Sequence, residues 1–332
     1  MKRVREEEDG NLVIVRKALE EASVDIHREL AAHIGYRTSV AFNADDGRPK
    51  TTNASGDKQA PLDVVSDRCV ENALRKCDLI AGFASEERDD YVSLHPKSGK
   101  FIVVFDPLDG SQNLPVGLSV GSIFGVFRAK SLKEIRSGLD LVAAGYSLFS
   151  AALQFVWTTK DSQGAILSQY DFSKKNWIVA TQKHMQPVKG KTYCINEGSA
   201  SNWNEDIRIL VSNHLKGRSI RWMACMVADV HRPLMEGGAF MYPCDKKYTK
   251  GRLRLVYEAY PMAFVWEKCT QKGGVAVCRH KDSKYDRILK VPFPHDDVHS
   301  RCGVILLGPT EAEMFKKSVE VAKERGVDWG KF

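Results

Sequence analysis

The 332-residue sequence lacks paired cysteine motifs, long apolar runs and dense clusters of one charge. Its eight cysteines are scattered and none forms a C-x-x-C pair, which predicts reduced thiols packed as small apolar side chains. No apolar stretch approaches the roughly 20 residues of a membrane helix, and residues 1–10 lack the apolar core of a secretory signal. We therefore expect a cytoplasmic protein with no membrane contact.

A formal net charge of +7 arises from 49 basic and 42 acidic residues that are spread along the whole chain. The basic residues form no dense run and are not interleaved with aromatic residues, as they are in proteins that bind single-stranded nucleic acid. The composition suits a small anionic ligand, and we expect no nucleic acid partner.

Apolar periodicity predicts helices in both halves of the chain. Apolar residues recur every three or four positions over residues 12–34, which predicts a helix or a helix pair. Pro61 opens another helix, and a further helix runs from Pro261 to about Cys269. Residues 42–60 have no apolar period and predict a long loop.

Short apolar stretches bounded by glycine or polar residues predict strands. They lie at residues 78–84, 101–105, 120–127, 141–152, 221–227 and 252–257, with others between 151 and 196. We expect two domains, over residues 1–188 and 189–332, with the active site at their interface. The fold class is α/β or α+β with layered sheets.

Acidic residues follow directly after two of these predicted strands. FIVVF at 101–105 is followed by Asp106-Pro107-Leu108-Asp109-Gly110-Ser111, and residues 78–84 are followed by Ser85-Glu86-Glu87. A tight turn needs Pro, Gly and one Asp, so the second acid requires another reason. If the two strands are neighbours, four carboxylates meet in a cleft, and like charges about 4 Å apart repel by roughly 4 kcal/mol per pair at an effective dielectric of 20.

Such a cluster must protonate, splay apart or bind cations, and an all-oxygen ligand set favours Mg²⁺ or Mn²⁺. Glu258, at the end of the predicted strand RLRLVY, is a fifth candidate, and Asp57 and Asp63 flank the exit of the long loop. The backbone N–H groups of a turn at Gly110 and Ser111 could hold an anion. Together these features favour metal-assisted phosphoryl hydrolysis. The alternative for the DPLDGS motif is a simple turn, and the alternative for the acidic motif at Glu86-Glu87 is a charged run exposed to solvent.

Two further motifs are weaker. Residues 117–121 match G-x-S-x-G, but the nucleophile elbow of hydrolases needs a helix after the serine, and a strand-like run follows here. His295 and His299 have the i, i+4 spacing of a transition-metal site on a helix, but they follow Pro292 and Pro294 in a predicted loop. We expect neither motif to be catalytic.

The motifs DPLDGS, SEE, CMVADVHR and RLRLVYE together make the chain similar to the fructose-1,6-bisphosphatase family, from about residue 53 to 310. The resemblance implies a five-layered α/β/α/β/α sandwich and a homotetramer. It also implies hydrolysis of fructose 1,6-bisphosphate in gluconeogenesis with two or three Mg²⁺ or Mn²⁺ ions. A sedoheptulose-1,7-bisphosphatase, an inositol monophosphatase-like enzyme and an inactive sugar-phosphate sensor are the alternatives.

The resemblance also implies a role for individual residues. Asp63 and Glu87 would orient and deprotonate the attacking water. The metal ligands would be Asp57, Glu86, Asp106, Asp109, Glu258 and the carbonyl oxygen of Leu108. The residues that contact the substrate would be Gly110, Ser111 and Arg254 at the reacting phosphate, Met226 with Asp109 and Glu258 at the sugar, and Asn196, Tyr242, Arg252 and a neighbouring subunit's Arg221 at the distal phosphate.

Some positions depart from the family pattern. Trp222 and Ser199 stand where the family has tyrosines near the distal phosphate, Arg252 replaces a lysine, and Gln112 replaces a serine. Lys100 and Arg128 match the basic pair that holds the phosphate of the inhibitor AMP, whereas residues 22–26 match the family's AMP-binding turn poorly. Because of these differences from the family pattern, the alternative location is a peroxisome-like organelle (a glycosome).

Overall fold

The computed structural model describes residues 9–33, 61–279 and 285–326. Within these ranges, the first half of the chain contains two α-helices and an eight-stranded sheet in the order β2-β1-β3-β4-β5-β6-β7-β8. Its elements are α1 Gly10–His33, α2 Pro61–Arg75, β1 Ile80–Ser85, β2 Val92–Ser93, β3 Phe101–Asp109, β4 Val120–Phe127, β5 Leu141–Phe149, β6 Leu153–Thr159, β7 Ala165–Asp171 and β8 Asn176–His184.

The second half contains a six-stranded sheet, in the order β10-β9-β11-β16-β13-β14, and a small sheet of β12 and β15. Its elements are β9 Thr192–Ile195, α3 Glu205–Ile209, β10 Ser219–Arg221, α4 Met226–Glu236, β11 Ala239–Tyr242, β12 Leu253–Arg254, α5 Tyr260–Cys269, β13 Val275–Arg279, β14 Tyr285–Arg287, β15 Arg301–Cys302, β16 Val304–Leu307 and α6 Pro309–Glu324.

Three apolar clusters stack these elements into five layers. Helices α1 and α2 pack on one face of the eight-stranded sheet. Helices α4 and α5 fill the space between that sheet and the six-stranded sheet. Helices α3 and α6 cover the outer face of the six-stranded sheet. The predicted five-layered α/β/α/β/α arrangement is therefore confirmed.

Strand β3 shows how the sequence produces this layering. All nine of its residues are buried, because the sheet is covered on both faces. Phe101, Val103 and Phe105 belong to the cluster under α1 and α2. Ile102 and Val104, which alternate with them, belong to the cluster under α4 and α5.

Several predicted element boundaries are wrong. The strand predicted at 252–257 is only Leu253–Arg254, and a helical turn over Leu255–Ala259 leads directly into α5. The strand predicted at 221–227 ends at Arg221, and α4 begins at Met226. Val256 and Tyr257 are fully buried, and an apolar run that is buried on all sides carries no period that separates helix from strand.

As far as residue 33, the last described residue of this segment, the N-terminal pattern forms one helix, α1, whose periodic apolar residues are buried. The loop predicted at 42–60 and the metal ligand Asp57 lie outside the described residues. Within the ranges described, no helix is long and apolar enough to cross a membrane.

Candidate active site

The two strands that precede the acidic motifs are neighbours in the eight-stranded sheet. Strands β1 and β3 are parallel, with Ser85 opposite Phe105. The next backbone N–H, that of Glu86, donates to the Phe105 carbonyl over 3.2 Å. Because parallel strands end at the same edge of a sheet, Glu86 and Asp106 leave it side by side. The adjacency on which the sequence argument depended is confirmed.

The DPLD segment is a bulge within β3 rather than a turn after it. Asp106 pairs with Ile123 and Asp109 with Gly121, so three steps along β3 match two along β4. The Asp106 carboxylate accepts from the Leu108 N–H over 3.0 Å, which closes the bulge locally. Such bulges aim side chains differently from a regular strand, and here both acids remain buried.

The Asp109 carboxylate connects the two halves of the chain. Its Oδ2 accepts from the Val227 N–H over 2.6 Å and from the Cys225 thiol over 3.1 Å. These donors lie at the N-terminus of α4, where a negative charge is stabilised by unpaired N–H groups and the helix dipole. Gly110 follows with φ of 75°, and a side chain there would meet Cys225 at 2.6 Å. A larger residue would therefore not fit at position 110.

Glu258 lies in the helical turn before α5, not at the end of a strand. Its Oε2 accepts from the Arg254 N–H over 2.6 Å. The Arg254 guanidinium in turn contacts Glu86 over 3.1 Å. Arg254 thus stands between two of the predicted metal ligands as a counter-charge.

These elements enclose a cavity of about 490 Å³. Most of the predicted site residues line it: Asp63, Glu86, Glu87, Asp106, Leu108, Asp109, Gly110, Ser111, Met226, Tyr242, Arg252, Arg254 and Glu258. The structure therefore brings together residues that are nearly 200 positions apart in the sequence.

Burial and mutual repulsion make the negative charge of this cluster costly. Burial, followed by repulsion from Glu86, Asp109 and Glu258, raises the pKa of Asp106 well above its ordinary value. Burial also raises the pKa of Asp109, against the opposing effect of its N–H donors. Burial and then repulsion from Glu86 raise the pKa of Glu258 to about 8. A cation in the cavity would remove this repulsion.

The donor chemistry fits a hard divalent cation, since carboxylate and carbonyl oxygens are the ligands that Mg²⁺ prefers. Among the residues that the structure describes, no three His, Cys, Asp or Glu side chains converge as a ready-made metal site. Glu86 is paired instead with Arg254, and Asp109 accepts from the N-terminus of α4.

Aromatic and basic side chains form another part of the cavity lining. The Arg252 guanidinium lies over the rings of Tyr242 and Tyr248, 5.7 and 4.6 Å from their centroids. Trp222 packs edge-on against Tyr242, with the ring centroids 5.2 Å apart. An arginine fixed on aromatic faces is preorganised to bind a phosphate.

Some predicted residues lie outside the cavity lining. Asn196 lies within hydrogen-bonding reach of the Tyr242 hydroxyl, whose pKa is raised by burial. Arg221 is exposed on β10. Lys100 is exposed. Arg128 pairs with Asp9 over 2.6 Å, just before the start of α1. Residues 22–26 lie within α1, at least 13 positions after Asp9.

Arg301 also lines the cavity, and sequence reasoning missed it. It lies opposite Arg254 in the small sheet and donates to the Arg252 carbonyl over 3.0 Å. The sequence around Arg301 contains no distinctive motif. The pairing of Arg301 with Arg254 joins residues 47 positions apart, so no local pattern indicates it.

The two weaker motifs have structural explanations. Strand β4 starts one residue after Ser119, so no nucleophile elbow forms. His299 Nδ1 lies 2.8 Å from the Tyr257 hydroxyl, and the His295 ring packs near Phe293. Neither histidine lines the cavity.

Comparison with known proteins places this geometry in a family. The N-terminal and C-terminal domains of fructose-1-6-bisphosphatase match residues 6–182 and 186–317. The fructose-1,6-bisphosphatase of Saccharomyces cerevisiae is 35% identical over 81% of this chain and 78% of its own length. The cytosolic fructose-1,6-bisphosphatase of Arabidopsis thaliana is 37% identical over 80% and 78%.

A solved structure agrees with these sequence matches. The holo form of Leishmania major fructose-1,6-bisphosphatase superposes with a TM-score of 0.81 at 29% identity, over 96% of this chain and 97% of that one. Because both domains match and relatives align over about four-fifths of the sequence, the chain belongs to the fructose-1,6-bisphosphatase family, whose members are metal-dependent phosphatases.

Proposed function

We propose that this chain hydrolyses fructose 1,6-bisphosphate to fructose 6-phosphate and inorganic phosphate, the gluconeogenic reaction of its family. The observation that supports this most directly is the two-part cavity lining, with buried acids in one part and a basic, aromatic cluster in the other. A bisphosphate carries roughly four negative charges near neutral pH. Cations held by the acids would neutralise the reacting phosphate, and guanidinium groups the distal one.

Glu86, Asp106, Asp109, Glu258 and the Leu108 carbonyl oxygen are the proposed metal ligands, with Asp57 completing one site. Two or three Mg²⁺ or Mn²⁺ ions would supply charge neutralisation and a more acidic water at the reacting phosphate. On metal binding Glu86 would exchange its contact with Arg254 for one with a cation, and the Arg254 guanidinium would then be available to the phosphate. The support for this exchange is the 3.1 Å contact between Glu86 and Arg254.

Asp63 and Glu87 are the proposed water-activating residues. Asp63 lies in the first turn of α2 and Glu87 after β1, and both line the cavity. From there they would orient the attacking water and accept its proton. Gly110 and Ser111 would present backbone N–H groups to the phosphate.

The other end of the substrate would be held by Arg252, Tyr242 and Asn196, while Met226 contacts the sugar. We assign Arg221 to the same distal phosphate, reached from a neighbouring subunit of a homotetramer. Trp222 and Ser199 cannot supply the phenolic hydroxyls of the family tyrosines, so the guanidinium groups carry more of the binding. We place the enzyme in the cytoplasm, because several plant relatives are named cytosolic.

Side-by-side phosphate release with Mg²⁺ tests the proposed function. We expect kcat/KM for fructose 1,6-bisphosphate to exceed that for sedoheptulose 1,7-bisphosphate and inositol monophosphate by at least about tenfold, because inositol monophosphate has no second phosphate for the basic part of the cavity and sedoheptulose 1,7-bisphosphate has one more carbon between its phosphates. A preference for inositol monophosphate would contradict the proposal. Binding of a sugar bisphosphate without turnover would identify an inactive sensor instead.

AMP inhibition at Lys100 and Arg128 is a separate proposal. Asp9 already pairs with Arg128, so an AMP phosphate has to displace a carboxylate from the guanidinium. We expect Arg128→Ala to raise the AMP concentration for half-inhibition at least about tenfold, the loss of a charged hydrogen bond. Inhibition assays of the native chain and the variant decide this, and equal sensitivity would remove Arg128 from the site.

A further inference from the structure

A partly buried charged network joins the turn after β1 to helix α2. The Ser85 hydroxyl donates to Asp67 Oδ1 over 2.6 Å, and Arg88 Nε donates to Asp67 Oδ2 over 2.6 Å. Arg88 Nη2 reaches Glu71 Oε2, also over 2.6 Å. Asp67 is 2% exposed and Ser85 1% exposed. Both oxygens of a buried carboxylate are thus used to hold the ends of one short turn.

The two residues inside that turn are proposed members of the active site. Glu86 and Glu87 lie between the anchored residues Ser85 and Arg88, and both line the cavity. The Glu87 N–H donates to the Ser85 hydroxyl over 3.2 Å, and the Arg88 N–H to the Ser85 carbonyl over 3.3 Å. The backbone that carries both acids is therefore fixed from each side.

Helix α2 supplies the other end of the connection. Asp63 precedes Asp67 by one helical turn, so the two side chains lie on the same helix face. Asp63 lines the cavity, whereas Asp67, Glu71 and Arg88 do not. The network therefore links the helix that carries Asp63 to the turn that carries Glu87, and its own members do not line the cavity.

We infer that Asp67 and Arg88 are positioning residues for the Glu86–Glu87 turn, which they hold against Asp63. Arg88 also neutralises a buried carboxylate next to the acidic cluster, and removing one partner of such a pair leaves the other charge buried and uncompensated. This inference rests on the proposed function, because it assigns the turn to metal binding and water activation.

The test compares Arg88→Met with Arg88→Lys and with the control Arg75→Met. Arg75 pairs with the other oxygen of Glu71 along α2, so the control loses an ion pair of the same helix but no anchor of the turn. We expect Arg88→Met to lower kcat about 10- to 100-fold, the effect of losing an orienting contact behind a metal ligand. KM should stay within about threefold, since the distal phosphate residues lie on other elements.

Calorimetric titration of each metal-free variant with Mn²⁺, without substrate, provides a readout independent of turnover. We expect Arg88→Met to weaken Mn²⁺ binding about tenfold, Arg88→Lys to recover part of the loss, and Arg75→Met to match the native chain within about twofold.

Arg88→Met could instead retain a kcat and a Mn²⁺ affinity within about twofold of the native values and show only a lower melting temperature. That result would show that the network has a purely structural role, and it would overturn the inference. If Arg88→Met does not fold, Ser85→Ala takes its place and the same limits apply. A native chain that does not hydrolyse fructose 1,6-bisphosphate would instead overturn the proposed function, and the Mn²⁺ titrations would still decide the inference.

Discussion

Asp109→Asn is expected to lower turnover of fructose 1,6-bisphosphate about 1000-fold, equivalent to ~4 kcal/mol of transition-state stabilisation, while the chain still folds. The carboxamide retains an oxygen that can accept from the Val227 N–H, which now bonds to Asp109 over 2.6 Å. The variant lacks the negative charge that a cation would require. Phosphate release and circular dichroism of the variant measure the two effects separately.

Two further variants separate chemistry from structure at this position. Asp109→Ala removes the acceptor for the α4 N-terminus as well and should lower the free energy of unfolding by about 1 kcal/mol. Asp140→Asn, a carboxylate that pairs with Arg136 away from the cavity, should leave turnover unchanged. Turnover of Asp109→Asn within about threefold of native would remove Asp109 from the metal site.

Chelating divalent cations is expected to abolish turnover and to leave a chain that is less stable at pH 8 than at pH 5. Burial raises the pKa of Asp229 to about 7, and burial with repulsion from Glu86 raises that of Glu258 to about 8. Both pKa values lie above those of the unfolded chain, so the stability that these groups contribute is present below about pH 4. It is lost as the pH rises through 7 to 8.

Added Mg²⁺ should reverse this trend. At 100 times its dissociation constant a cation stabilises the folded chain by about 2.7 kcal/mol. The gain should be larger at pH 8, because at pH 5 binding must first displace protons from the carboxyls. Melting temperatures at both pH values, with EDTA or Mg²⁺ and with NaCl of equal ionic strength as control, check this expectation. An equal gain at both pH values would contradict it.

The acidic motifs could be found from the sequence because their signal is local. Each acid follows a short apolar strand directly, and buried strands of a covered sheet read as continuous apolar runs. The same local reading failed at 252–257, where complete burial of Val256 and Tyr257 removes any period. It also placed a turn after Phe105, although the bulge in β3 depends on pairing with β4.

The second acid of DPLD has a use that no local pattern contains. Asp109 accepts from the N-terminus of α4, a helix that begins 117 residues later in the chain. Arg301 likewise lies in the cavity lining because of a long-range contact, the pairing between β12 and β15. Contacts of this length depend on how the layers stack, and apolar periodicity reports only which face of an element is buried.

The sequence by itself determined the chemistry of the protein, because the types and order of its acidic, basic and glycine residues limit what a cleft made from them can bind. It also determined the alternating helices and strands, because burial on one face or both leaves a readable apolar pattern. Only the tertiary structure decided which acids meet, which of them are restrained by Arg254 and α4, and how Asp67 and Arg88 hold the Glu86–Glu87 turn. Those arrangements depend on distances between elements remote in sequence, and such distances exist only once the two sheets and their helices have packed.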